Sequence, residues 1–140
     1  PDYAIAHNNL ANAYRDRKNM IEEAIEHYQI AVSVRPEYAD AYNNLGAAYQ
    51  DKGLIDKAVE CYSAALKLKP DYIEAQYNLG IAYSLKGMPD DAIAAFEQLL
   101  MTAPNYAAAH YILAVEYRKK GLTNKAEWHY RIAIELSRVN

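Results

Sequence analysis

The chain has 140 residues, 52% of them hydrophobic and 24% charged, enough to bury a core, yet no apolar run approaches the ~18 residues of a membrane span. Membrane insertion is therefore not expected. A formal net charge of -3 has the wrong sign for a general nucleic-acid footprint. The single cysteine, Cys61, excludes an internal disulfide framework and a CxxC metal site. With no basic-then-apolar leader at the start, the expected compartment is cytoplasmic.

The same marks return along the chain at a spacing of ~34 residues: Pro36, Pro70 and Pro104; Tyr49, Tyr83 and Tyr117; Gly53, Gly87 and Gly121; Ala58, Ala92 and Ala126. The first unit (about 4–36) carries one residue more than the others between Tyr14 and Ala24. Its turn, Arg17-Lys18-Asn19-Met20, is expected to loop out slightly, with Asn19 accepting the left-handed conformation. Before it, Pro1-Asp2-Tyr3 matches Pro70-Asp71-Tyr72 and Pro104-Asn105-Tyr106. That match predicts a slice of a longer array.

In the second unit (37–70), Tyr42, Leu45, Gly46 and Tyr49 form the i, i+3, i+4, i+7 stripe of a helix. Gly53 stops it, a second stripe runs through Ala58, Tyr62, Ala65 and Leu66, and Pro70 marks the exit. Each unit is thus two antiparallel helices joined by a tight turn. The third unit (71–104) places Pro89 in the first turn of its second helix, where proline is tolerated. The fourth (105–138) puts Glu127 where Ile25, Val59 and Ile93 stand earlier, as a terminal repeat would. Charge is uneven as well. The third unit sets Lys86 against five carboxylates, and the fourth carries Arg118, Lys119, Lys120, Lys125, Arg131 and Arg138.

Small residues are expected where the paired helices approach: Ala11 with Ala24, Gly46 with Ala58, Gly80 with Ala92, Ala114 with Ala126. Beside them Tyr14, Tyr49, Tyr83 and Tyr117 from first helices, and Tyr28, Tyr62, Phe96 and Tyr130 from second helices, are expected to fill the interior.

Over essentially its whole length this pattern resembles the tetratricopeptide repeat family: aromatic-x-x-Leu-Gly/Ala-x-x-Tyr, then Ala-x-x-x-aromatic-x-x-Ala, then Pro. It departs from the family at the opening aromatic, where His7, Gln76 and His110 replace the Tyr42 type, and at Leu99, which replaces a small residue. The resemblance implies an all-α, right-handed superhelical solenoid of four helix-turn-helix units in a single array. It also implies a concave groove for peptides, lined by the first helices.

The stripe expected to face that groove holds Asn8, Asn9 and Asn12 in the first unit and Asn43 and Asn44 in the second. It continues with Tyr77, Asn78 and Ile81 in the third and Tyr111, Ile112, Val115 and Lys119 in the fourth. Asn9, Asn44 and Asn78 each precede the repeat leucine, and one carboxamide both donates and accepts. Such a row can hold a peptide backbone without reading its side chains. Asparagine is a poor helix former and has no local reason to recur there. The alternative is that these amides bond neighbouring helices. The row is similar to the asparagine ladder of the repeat superhelix of O-GlcNAc transferase, with Ile112 departing from it; that likeness implies peptide binding and not catalysis. The carboxylate clamp of other members of the family is rejected, because Asn8, Glu74 and Asn78 stand where it needs cations.

The expected partner is a protein or peptide held by a non-catalytic scaffold. The other reading is a spacer or self-assembly module whose apolar ends, around Ile134, pack end to end. His7, His27, His110 and His129 read as packing residues, Trp128 as interface or surface packing, and Cys61 as a small hydrophobe. No phosphate-cradling glycine loop, HExxH or EF-hand loop occurs, so neither cofactor nor metal is expected.

Overall fold

The structure, a computed structural model, describes residues 2–17 and 19–139. Pro1, Lys18 and Asn140 lie outside the described residues, and with them parts of the Pro1-Asp2-Tyr3 junction and of the first turn. The described residues form eight helices and no strand: α1 (Asp2–Arg15), α2 (Ile21–Val34), α3 (Ala39–Asp51), α4 (Ile55–Leu68), α5 (Ile73–Leu85), α6 (Pro89–Thr102), α7 (Ala107–Lys119) and α8 (Thr123–Val139). They divide into two compact units, residues 1–75 and 76–140, with the boundary inside α5.

In the first unit α1 packs on α2, α3 on α4, and α3 also covers the α1/α2 pair. Alanine makes this possible. Ala4, Ala11, Ala24, Ala31, Ala41, Ala48, Ala58 and Ala65 are all fully buried, and Tyr28 and Tyr62 fill the space between them. Gly46 has the closest approach, because a Cβ there would come within 2.7 Å of the Tyr62 ring. The α3–α4 turn closes on Gly53 (φ 78°), with the Leu54 N–H reaching back to the Tyr49 carbonyl at 2.8 Å. This is the left-handed helix stop expected of glycine. The looped-out turn expected at Arg17-Lys18-Asn19-Met20, with its left-handed Asn19, rests on Lys18 and so lies outside the described residues; beside it the Met20 N–H donates to the Arg17 carbonyl at 2.9 Å.

The second unit uses the same devices. Pro89 opens α6 at its first turn, and Gly87 and Gly121 take φ 71° and 73°. Phe96, Leu99 and Leu113 are fully buried among Ala82, Ala92, Ala109 and Ala114. α6 packs on α7, and α7 on α8. The expected tyrosine filling is uneven. Tyr117 is buried, whereas Tyr83 and Tyr130 here, and Tyr14 in the first unit, are only half-buried.

Candidate interaction surface

The residues expected on one open face fall into two sets. Asn8 and Asn43 are 5% and 1% exposed. The Asn44 amide donates to Asn8 Oδ1 at 3.1 Å, and the Asn43 amide donates to Glu74 Oε1 at 3.1 Å. Tyr77 stands at the same register in α5, packed on Phe96 and Tyr106 with ring centroids 5.8 and 5.5 Å away. At Asn8 and Asn43 this register faces the following first helix and not an open surface, and at Tyr77 it meets the rings of Phe96 and Tyr106. Its place in the expected stripe is corrected accordingly: a stripe of four positions on a helix is wide enough to include one edge that packs sideways. Tyr111 shares the register but is 55% exposed. It sits edge-on to Tyr130 at 5.6 Å and lines an open apolar groove of about 490 Å³ on the α7/α8 pair, with Ala107, Ala108, Ala133, Ile134 and Ser137.

The other residues keep access to solvent. In the first unit Asn9 and Asn12 are exposed and Asn44 is half-buried. Asn12 Oδ1 accepts from the Tyr28 hydroxyl at 2.5 Å, which fixes its amide. Acidic residues flank them: Asp16 is exposed, and Asp51 accepts from Arg15 Nε at 2.7 Å. In the second unit Asn78, Ile81, Ile112 and Val115 are half-buried and Lys119 is exposed. Lys119 Nζ lies 2.8 Å from the carboxylate of Glu116, a residue the sequence reading passed over. Glu116 is 2% exposed at the register where Ala48 and Ala82 stand, so one charged residue replaces a packing alanine.

A second set, read from sequence as packing residues, forms pairs. His7 Nδ1 lies 2.7 Å from His27 Nδ1 in the first unit, and His110 Nδ1 lies 2.9 Å from His129 Nδ1 in the second. Tyr14 stacks on His27 and Tyr117 on His129 at 5.4 and 5.5 Å. Beside the second pair, Glu97, Tyr117, Asn124, Lys125, Trp128 and His129 line a shallow cleft of about 390 Å³. The Tyr117 hydroxyl donates to Glu97 at 2.5 Å. Burial, then that carboxylate, raises its pKa to about 12. Among the described residues no cluster of three His, Cys, Asp or Glu could hold a metal ion, and no helix is long and apolar enough to cross a membrane.

Family profiles agree with the repeat. Two described as tetratricopeptide repeat match residues 37–101 and 77–138, and one described as TPR repeat matches 17–53. The chain belongs to the tetratricopeptide repeat family. No curated protein matches it in sequence. Among solved structures it is similar to a crystal structure of MamA, with TM-score 0.92 and 27% identity over 96% of this chain and 78% of that one. It is similar to another MamA crystal structure with TM-score 0.89 and 28% identity over 99% and 75%. As a tetratricopeptide repeat protein built like these, the chain is a protein-interaction scaffold in general character.

Proposed function

We propose that this scaffold is non-catalytic and holds an extended segment of another protein against the solvent-facing residues of its first helices. In the first unit the holding groups are the amides of Asn9, Asn12 and Asn44, with Asp16 and Asp51 biasing the partner toward positive charge. In the second unit Asn78 has the same register as Asn44, and Ile81, Ile112 and Val115 offer apolar contact beside the Lys119 cation. The observation that carries the reading is at Asn44. Its amide nitrogen is engaged by Asn8 while the side chain stays half-exposed, so its orientation is set before a partner arrives. A pre-oriented amide loses less entropy on binding a backbone.

The test is a random linear-peptide library panned against the chain, followed by titration of the selected peptides. They are expected to bind the Asn44→Ala/Asn78→Ala variant about tenfold or more weakly, with far-UV circular dichroism unchanged. Peptides that bind the variant as well as the parent would sink the reading. Self-assembly is the second reading, favoured by the apolar groove on α7 and α8.

A further inference from the structure

Trp128 is the chain's one tryptophan, and on α8 it is 54% exposed. The exposure belongs to its register and not to the place of α8 in the chain. Glu26 on α2 and Ala94 on α6 hold the same register, each is followed by another helix pair within its own unit, and both are exposed. Edge contacts with His110 and His129, at centroid distances of 6.1 and 4.7 Å, fix the indole. More than half of the residue is left open, where it borders the cleft whose walls come from α6, α7 and α8.

The polar groups of that cleft have defined roles. Glu97 is exposed and accepts from the Tyr117 hydroxyl, and among the described residues no cation pairs with its carboxylate. His129 supplies a second acceptor. His110 Nε2 lies 2.9 Å from the Pro104 carbonyl oxygen, which only accepts, so His110 Nδ1 is bare and takes the hydrogen of His129 Nδ1 at 2.9 Å. In the neutral ring that leaves His129 Nε2 with a lone pair. Lys125 is the opposing charge, but its Nζ is held over the Tyr117 ring, 5.0 Å from the centroid. An open indole beside two acceptors suits a planar cation rich in donors. A guanidinium stacks on the ring and offers its N–H fork at the edge, whereas an ammonium has neither the plane nor the fork.

We propose that the Trp128 cleft binds an arginine side chain displayed by a partner protein, with the guanidinium stacked on Trp128 and its N–H groups donating to Glu97 and His129 Nε2. This goes beyond the segment held by the first-helix asparagines. None of the cleft residues belongs to that stripe, and the test leaves Asn44 and Asn78 untouched.

Trp128 fluorescence reads the site directly, because no other tryptophan contributes. At constant ionic strength, acetyl-Gly-Arg-Gly-amide should change the emission and saturate with a Kd of ~1 mM. The citrulline peptide keeps the plane without the charge, and the lysine peptide keeps the charge without the plane. Each should bind about tenfold or more weakly. Glu97→Gln should weaken the arginine peptide by about tenfold, and Lys125→Gln, by removing a like charge, should strengthen it by about threefold. Far-UV circular dichroism and the urea midpoint check that both variants fold; effects of opposite sign are not what structural damage produces. Emission unmoved up to about 50 mM arginine peptide overturns the inference. So does a lysine peptide that binds as well, or a Lys125→Gln variant that binds more weakly, which would make the cleft a site for an anion or a zwitterion.

Discussion

His110 Nδ1 and His129 Nδ1 face each other at 2.9 Å between α7 and α8, and His110 Nε2 lies 2.9 Å from the Pro104 carbonyl oxygen. A carbonyl only accepts, so His110 Nε2 carries the hydrogen and its Nδ1 is the acceptor. His129 Nδ1–H must then donate. Burial first, and His110 second, lower the His129 pKa from 6.5 to about 4. Between those two values the unfolded chain binds more protons than the folded one, so stability rises with pH. It is fully present above about pH 6.5, declines as pH falls toward 4, and is flat below. The expected loss between about pH 7 and pH 5 is on the order of 2 kcal/mol, read from urea titrations at both. His129→Leu should abolish the His129 part of that slope. A parent and variant with the same pH slope would show that the pair does not titrate this way.

At Gly80 an added Cβ would lie 2.7 Å from two atoms of the Phe96 ring, and Phe96 is fully buried. Gly80→Ala gains roughly 1 kcal/mol in helix propensity, and forced repacking costs about 1–3 kcal/mol. A net loss of up to about 2 kcal/mol is expected in denaturant unfolding. Phe96→Leu should offset part of it by removing the ring edge. Ala11 opposite Tyr28 and Ala114 opposite Tyr130 show that the position accepts a methyl where the neighbours are set for it. A Gly80→Ala chain more stable than the parent would mean that Phe96 moves freely, against its burial.

Most of the fold was legible because a repeat states each packing rule several times. Gly53, Gly87 and Gly121 announce their turns, and Ala58, Ala92 and Ala126 their close contacts, in residue type alone. The surface was harder to read. Asn8 and Asn43 look as solvent-ready as Asn9 and Asn44, and only the direction of the neighbouring helix separates them. A turn of about 100° between adjacent residues decides whether an amide meets water or Asn44. The histidine pairs were within reach: His7 and His110 occupy one register, His27 and His129 another, and the extra residue in the first turn accounts for their unequal separations. What the sequence lacked was the distance between the two registers, which the helix packing sets.

Glu116 and Lys119 give an asymmetric prediction. The carboxylate is 2% exposed and its cation is on the surface, so removing only the cation leaves a buried charge without that partner. Lys119→Ala is expected to cost about 1–3 kcal/mol. Glu116→Ala instead installs the residue that stands at Ala48 and Ala82, and should be neutral or stabilising, since apolar packing commonly equals or exceeds a buried ion pair. The double variant should resemble Glu116→Ala alone. Equal losses from the two single variants would show a pair that contributes net stability.

Cys61 offers a chemical probe of α4. Burial, then the nearby carboxylate of Glu60, raises its thiol pKa from 9.0 to about 11, with Lys57 acting weakly the other way. Only the thiolate reacts with iodoacetamide, and a two-unit rise leaves about a hundredfold less of it at mildly alkaline pH. Alkylation of the folded chain should therefore run about a hundred times slower than in urea. Glu60→Gln should speed the folded reaction and Lys57→Gln should slow it, because each acts on the thiolate through its charge. If reaction instead requires α4 to open, the rate will follow urea concentration and ignore both charge changes. A folded rate equal to that of the unfolded chain would show that burial and Glu60 do not hold the thiol protonated.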